Sequence, residues 1–85
     1  MKYQVIWLDD AIVALEYEWN MNLDPDRVMD FVDAINDILS HDPHHQGESR
    51  HANKRLWFHR PFSVYFEIDE PLKIVHIVRV RWIGD

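Results

Sequence analysis

From residue 50 onward the chain spaces out groups that recognise anions: Arg50, Lys54, Arg55, Arg79 and Arg81, interleaved with Trp57, His59 and Tyr65. Guanidinium and ammonium groups attract an acidic peptide or a phosphate, and flat rings give it an anchoring area. The competing use of these cations is cross-strand pairing with Glu67, Asp69 and Glu70. His59, Tyr65 and Ser63 could move a proton. No acid stands beside His59 to orient it, so a hydrogen-bonded histidine on a sheet face is the plainer reading. His41, His44 and His45, with Asp42, also crowd together, and imidazoles at that density can bind zinc. Adjacent histidines in a loop do not easily converge on one ion, and the chain has no cysteine. The cluster reads as a polar surface, with no metal and no cofactor expected.

A three-strand meander must position these groups. Apolar, aromatic and β-branched runs at 54–60, 62–69 and 72–82 are split by turns at Arg60-Pro61 and Glu70-Pro71. In the first, Leu56 and Phe58 alternate with Arg55, Trp57 and His59. In the second, Phe62, Val64, Phe66 and Ile68 share a face, with Ser63, Tyr65 and Glu67 opposite. In the third, strict alternation places Arg79 and Arg81 with Lys73, Val75 and Ile77.

The first half supplies a strand at 2–8, then two helices. Asp9-Asp10 caps a helix over 10–21, with Ile12, Leu15, Trp19 and Leu23 at helical spacing. Asp24-Pro25 opens a second over 25–41, striped by Val28, Phe31, Val32, Ile35, Ile38 and Leu39 and ended by Pro43. Residues 42–53 read as a loop containing Gly47. The expected fold is α+β in the order β-α-α-β-β-β, one domain over 1–85. Two helices cover one face of a small, mainly antiparallel sheet, leaving the other face open and partly basic. Trp7, Trp19, Phe31, Phe58, Phe62 and Phe66 are the expected core rings, and Trp57, Tyr65 and Trp82 the exposed ones.

At 85 residues and 47% hydrophobic composition the chain can build one modest core. No run approaches the roughly 20 apolar residues of a membrane span. The opening Met1-Lys2-Tyr3-Gln4-Val5 leaves no room for a signal peptide, so a cytoplasmic protein is expected. The formal charge of −6 is unevenly divided. Residues 1–49 carry Lys2 and Arg27 against eleven acids, a net −9; residues 50–85 carry seven Lys/Arg against four acids, a net +3. The total is too acidic for strong non-specific nucleic-acid binding, which rests on phosphate neutralisation.

Nearly the whole chain resembles the RelE/ParE superfamily of toxins from bacterial toxin–antitoxin pairs, which includes plasmid-stabilisation proteins. The anchors are Tyr3-x-Val5-x-Trp7 with Ala11; Leu39-x-x-x-Pro43 with Gly47; Lys54-Arg55; Phe62-Ser63-Val64-Tyr65-Phe66-Glu67-Ile68-Asp69; and Ile77-Val78-Arg79-Val80. Gly47-Glu48-Ser49-Arg50 and Pro61-Phe62 mark a divergent member. RelE-type toxins cut messenger RNA on the ribosome with basic residues of the meander and often a C-terminal tyrosine. The arginine of their Tyr-Arg-Val-x-Tyr strand is Ser63 here, and the C-terminal tyrosine has no counterpart. ParE-type toxins share the fold, lack the nuclease residues and act on DNA gyrase. The resemblance therefore implies a ParE-like toxin component working by protein–protein interaction and neutralised by a cognate antitoxin on the basic sheet face. RelE-type ribonuclease activity, or a non-toxic relic of the fold, are the alternatives. A homodimer is the competing occupant of that face.

Overall fold

A computed structural model of the chain describes residues 2–21 and 24–84. The elements are β1 (Gln4–Trp7), α1 (Asp9–Met21), α2 (Pro25–His41), β2 (Glu48–Ser49), β3 (Lys54–His59), β4 (Phe62–Asp69) and β5 (Ile74–Trp82). One sheet of order β1-β5-β4-β3-β2 contains every strand among the described residues. β1 runs parallel to β5, and the other pairs are antiparallel.

Both helices form close to the expected bounds, and α2 does so on the expected cap and stripe. Asp24 accepts the backbone N–H of Asp26 at 2.9 Å, and Pro25 occupies the first turn, where a missing N–H costs nothing. Val28, Phe31, Ile35 and Leu39 then bury one face of α2. The stripe of α1 is rotated from the expected one. Ala11 and Leu15 are buried, with Glu18 on the same face, whereas Ile12 and Trp19 are exposed. A small side chain at Ala11 lets the helix close onto β5. The expected contribution of Leu23 lies outside the described residues.

Both helices cover one face of the sheet. The core joins Ala11, Leu15 and the α2 stripe to Phe62, Val64, Phe66, Ile68, Val75, Ile77 and Val80. Trp7 is half-buried, its indole N–H donating to Asn36 Oδ1 at 2.7 Å, which ties β1 to α2. Phe58, expected in the core, stands 60% exposed on the far side of the sheet. The loop at 42–53 includes a short helical turn at Pro43–His45 and the two residues of β2, too short to read from periodicity.

The decisive irregularity is in β5. Tyr65 lies opposite Arg79 and Phe66 opposite Ile77, so Val78 is an extra residue, a β-bulge. The bulge resets alternation: Val75, Ile77 and Val80 are all buried, while Arg79 and Arg81 point to the opposite, open face. Strict alternation, which grouped both arginines with Val75 and Ile77, is therefore corrected. Were the same sequence paired without a bulge, strict alternation would carry two guanidiniums into an apolar core, which is costly.

Among the described residues, no helix is long and apolar enough to cross a membrane.

Candidate interaction face

The open face is built from three cross-strand rows over β3, β4 and β5. Lys54, Glu67 and His76 form the first; Leu56, Tyr65 and Arg79 the second; Phe58, Ser63 and Arg81 the third. The first row is self-satisfied. Lys54 pairs with Glu67 at 3.2 Å, and His76 lies 3.9 Å from the same carboxylate. The other two rows contain no acid. Arg79 stacks over the Tyr65 ring, 5.6 Å from its centroid. Among the described residues, neither Arg79 nor Arg81 meets a carboxylate. Cross-strand pairing thus accounts for Lys54 but not for these two arginines.

Around the two acid-free rows lies a concavity of about 1020 Å3, to which the turn after β2 adds Arg50 and His51. Arg50 reaches Glu48 at 3.0 Å, so its charge is shared. Gly47 and Arg55 hold this turn. The Arg55 guanidinium donates to the carbonyls of Gln46 at 2.8 Å and Gly47 at 3.0 Å. His51 was not singled out by sequence; its adjacency to Arg50 in a polar turn was the available signal.

The structure divides the predicted site residues. Arg50, Tyr65, Arg79 and Arg81 converge on the concavity, and Lys54 sits one row away. Arg55, Trp57 and His59 belong to the other parity of β3 and lie on the helix side of the sheet. Trp57 packs on the core, its ring edge-on to Phe66 and His59. His59 stands edge-on to Phe31, with its Nδ1 buried and without a hydrogen-bond partner. The sheet therefore separates His59 from Tyr65 and Ser63, and no proton-transfer trio forms. Trp57 is not an exposed anchor; Phe58 takes that place.

The histidine cluster disperses. His41 Nδ1–H donates to Asp37 O at 2.8 Å, His45 reaches Asp42 at 2.5 Å, and His44 reaches Glu70 at 2.5 Å. Among the described residues no three potential ligands converge to hold a metal ion. Glu70 is instead the hub of a polar cluster at the other end of the sheet. It accepts from Lys73, His44 and the Tyr3 phenol, and these bonds, the Lys73 one foremost, hold its carboxyl down at about 2. The same carboxylate pushes Lys73 and Tyr3 upward.

The fold is that of RelE/ParE-type toxins. The chain superposes on a chain of the RelBE2 toxin–antitoxin complex from Mycobacterium tuberculosis with a TM-score of 0.79 at 22% identity, covering 100% of this chain and 95% of that one. A chain of the chromosomal ParDE system of P. aeruginosa gives 0.71 at 18% identity, covering 98% of each. A chain of the archaeal RelE–RelB complex from Pyrococcus horikoshii gives 0.67 at 18%, covering 99% and 98%. No protein-family model matches the sequence, and no curated protein matches it.

Proposed function

We propose that the chain is the toxin-like member of a bacterial toxin–antitoxin pair, ParE-like in acting by protein–protein interaction, with the open sheet face as the surface a cognate antitoxin covers. The observation that carries this reading is the pair of rows ending in Arg79 and Arg81, which present two guanidiniums, Tyr65 and the exposed Phe58 with no acid among them. Arg, Tyr and other aromatics are the residues on which interfaces concentrate their energy, and an acidic partner segment meets its charge there. The likeness to chains taken from toxin–antitoxin complexes supports the same reading. Ser63, small and nearly buried between Phe58 and Arg81, favours an interaction role over a RelE-type nuclease, because that route needs an arginine at this place.

One observation favours the nuclease as a second reading. His51, Tyr65 and three arginines line one concavity, and phosphodiester cleavage uses such groups.

Inducible expression in a bacterium, following growth, RNA integrity and nucleoid shape together, tests both. Growth arrest with intact messages and altered nucleoids supports the ParE-like reading, with gyrase as the target. Arrest with messages cut on the ribosome, relieved by Arg79→Ala or Arg81→Ala, replaces it with the nuclease. No arrest at all rejects toxicity.

A further inference from the structure

The acids of the helical half are not scattered. On α2, Asp26, Asp30, Asp33 and Asp37 are all exposed. Their spacing of i, i+4, i+7 and i+11 draws them into one stripe, confined to about 60° of the helix surface. The buried stripe of Val28, Phe31, Ile35 and Leu39 centres on the opposite side of the helix, so the aspartates point straight away from the sheet. α2 holds one Lys or Arg, Arg27, about a quarter-turn from Asp26. Asp37 has His41 at 3.6 Å, a pairing that carries charge only when the ring is protonated. On the far side of the domain, Arg79 and Arg81 stand exposed in two rows without an acid. The fold thus sets an acidic ladder on one outer surface and a basic face on the other, with both of its layers between them. The two surfaces are also commensurate. Arg79 and Arg81, two residues apart on a strand, are separated by about 6.5–7 Å. Aspartates one turn apart, Asp26 and Asp30 or Asp33 and Asp37, are separated by about 6 Å.

We propose that free copies of this chain associate head to tail, the acidic stripe of α2 from one copy lying on the Arg79–Arg81 face of the next. Such association goes beyond the toxin reading and does not depend on it; it supplies the occupant of the face when no antitoxin is bound. Charge complementarity selects the pairing. Stripe against stripe sets aspartate against aspartate, and face against face sets arginine against arginine, so neither two-fold contact is favoured. Stripe against face joins opposite charges, and each planar guanidinium can take a carboxylate with two bonds. Met29, beside the stripe, and Phe58, beside Arg81, stand 46% and 60% exposed and add apolar contact. The formal charge of −6 opposes the approach of two copies. That repulsion is spread over a domain 37 Å long and is screened beyond about 8 Å at physiological salt, whereas the facing pairs meet at contact distance. Because the two surfaces lie on opposite sides of the domain, a copy engaged through one leaves the other open. The contact is heterologous, so it propagates into open chains of copies instead of stopping at a dimer. A partner that covers Arg79 and Arg81 caps such a chain.

Sedimentation velocity on the full chain tests it, from about 10 μM to about 1 mM, the range of weak contacts. In about 50 mM salt, where charges act over more than about 10 Å, the weight-average mass should climb with concentration past that of a dimer. In about 0.5 M salt, where screening closes to a few Å, it should stay at that of the monomer. Neutralising either surface should weaken association by about tenfold or more: Arg79→Gln with Arg81→Gln, or Asp30→Asn with Asp33→Asn and Asp37→Asn. Asp10→Asn with Glu16→Gln, which neutralises exposed acids of α1 away from the stripe, should not. The arginine variant keeps its stripe and the aspartate variant keeps its face. Each should be a folded monomer by circular dichroism and sedimentation, and a mixture of the two should form a one-to-one dimer and nothing larger, which a two-fold contact cannot give. A wild-type monomer at the highest concentration in low salt overturns the proposal. So does a mass that stops at a dimer, association that survives the high salt, or a mixture of folded variants that stays monomeric. Growth arrest and capture of an antitoxin are read on separate samples, so each of these failures leaves the toxin reading standing.

Discussion

Gly47 is the residue on which the candidate face depends most, and its replacement can be costed from geometry. It stands before β2 with φ +67°, in the left-handed region that side chains rarely adopt. A Cβ built there would lie 2.7 Å from the carbonyl carbon of Leu56 and 2.8 Å from the Cα of Trp57, and closer still to the Leu56 oxygen. These are backbone atoms of β3, which is paired to β4 on its other side and cannot swing away as a side chain tip would. The left-handed conformation costs an ordinary residue about 1–2 kcal/mol, and forcing packed elements apart costs about 1–3 kcal/mol more. Gly47→Ala should therefore lose about 2–5 kcal/mol. A chain of this length has only about 4–13 kcal/mol in all. At about 4–8 °C per kcal/mol, the melting temperature should fall by about 8–40 °C. Gly84→Ala is the control, since φ there is +91° but nothing lies within 4 Å of the added Cβ. It should cost only the conformational share, about 1–2 kcal/mol. Thermal and urea melts of the two variants decide the matter. A Gly47→Ala protein as stable as Gly84→Ala would show that the turn gives way, and that neither Arg55 nor the β3 backbone holds Arg50 and His51 at the concavity.

The remaining predictions address the bulge, the misplaced tryptophan and the polar hub. Deleting Val78 should leave a folded protein, about 1–2 kcal/mol less stable, because removal of the extra residue restores simple alternation with Arg79 and Arg81 still outward; urea midpoints check it, and an unfolded product refutes it. Trp57→Ala should cost about 2–4 kcal/mol of stability through lost packing on Phe66 and His59, and should leave partner affinity unchanged in a pull-down at a temperature where the variant stays folded. Glu70→Gln should destabilise at neutral pH. The carboxyl is held down at about 2 by Lys73, His44 and Tyr3, so its contribution is fully present above the unfolded carboxylate range and fades as pH falls toward 2. Melting curves of wild type and variant should accordingly converge in acid, and a constant gap across that range would refute the assignment.

How far the sequence could be read follows from which signals are local. Asp24-Pro25 and the stripe Val28, Phe31, Ile35, Leu39 are contained within one helix, and α2 forms where they place it. The two proline turns likewise delimit β3, β4 and β5 within a residue or two. What failed depends on a neighbour. Whether the Leu56 or the Trp57 parity of β3 faces the helices is settled by register against β4, where Trp57 meets Val64 and Leu56 meets Tyr65. Nothing within β3 itself distinguishes an exposed phenylalanine at 58 from an exposed tryptophan at 57. The rotated stripe of α1 has the same origin: Ala11 is chosen for close approach to β5, and apolar character at Ile12 and Trp19 masks that choice in the sequence.

The bulge shows the limit most sharply, and also how it could be overcome. Counted with period two from Val75, the string Val75-His76-Ile77-Val78-Arg79-Val80-Arg81 sends two arginines into the core. Counted backward from Trp82, the same string sends Val80 inward and both arginines outward. The two counts disagree by one residue, and one extra residue is what a bulge absorbs. A strand whose apolar parity reverses midway, with charges that only the reversed parity can solvate, therefore predicts a bulge between the last residue of the first count and the first of the second. Here that interval is Val78 alone. The reversal matters beyond the fold, because the site depends on it. It delivers Arg79 and Arg81 to the face that already holds Tyr65, and it falls at the point where the pairing of β1 with β5 ends.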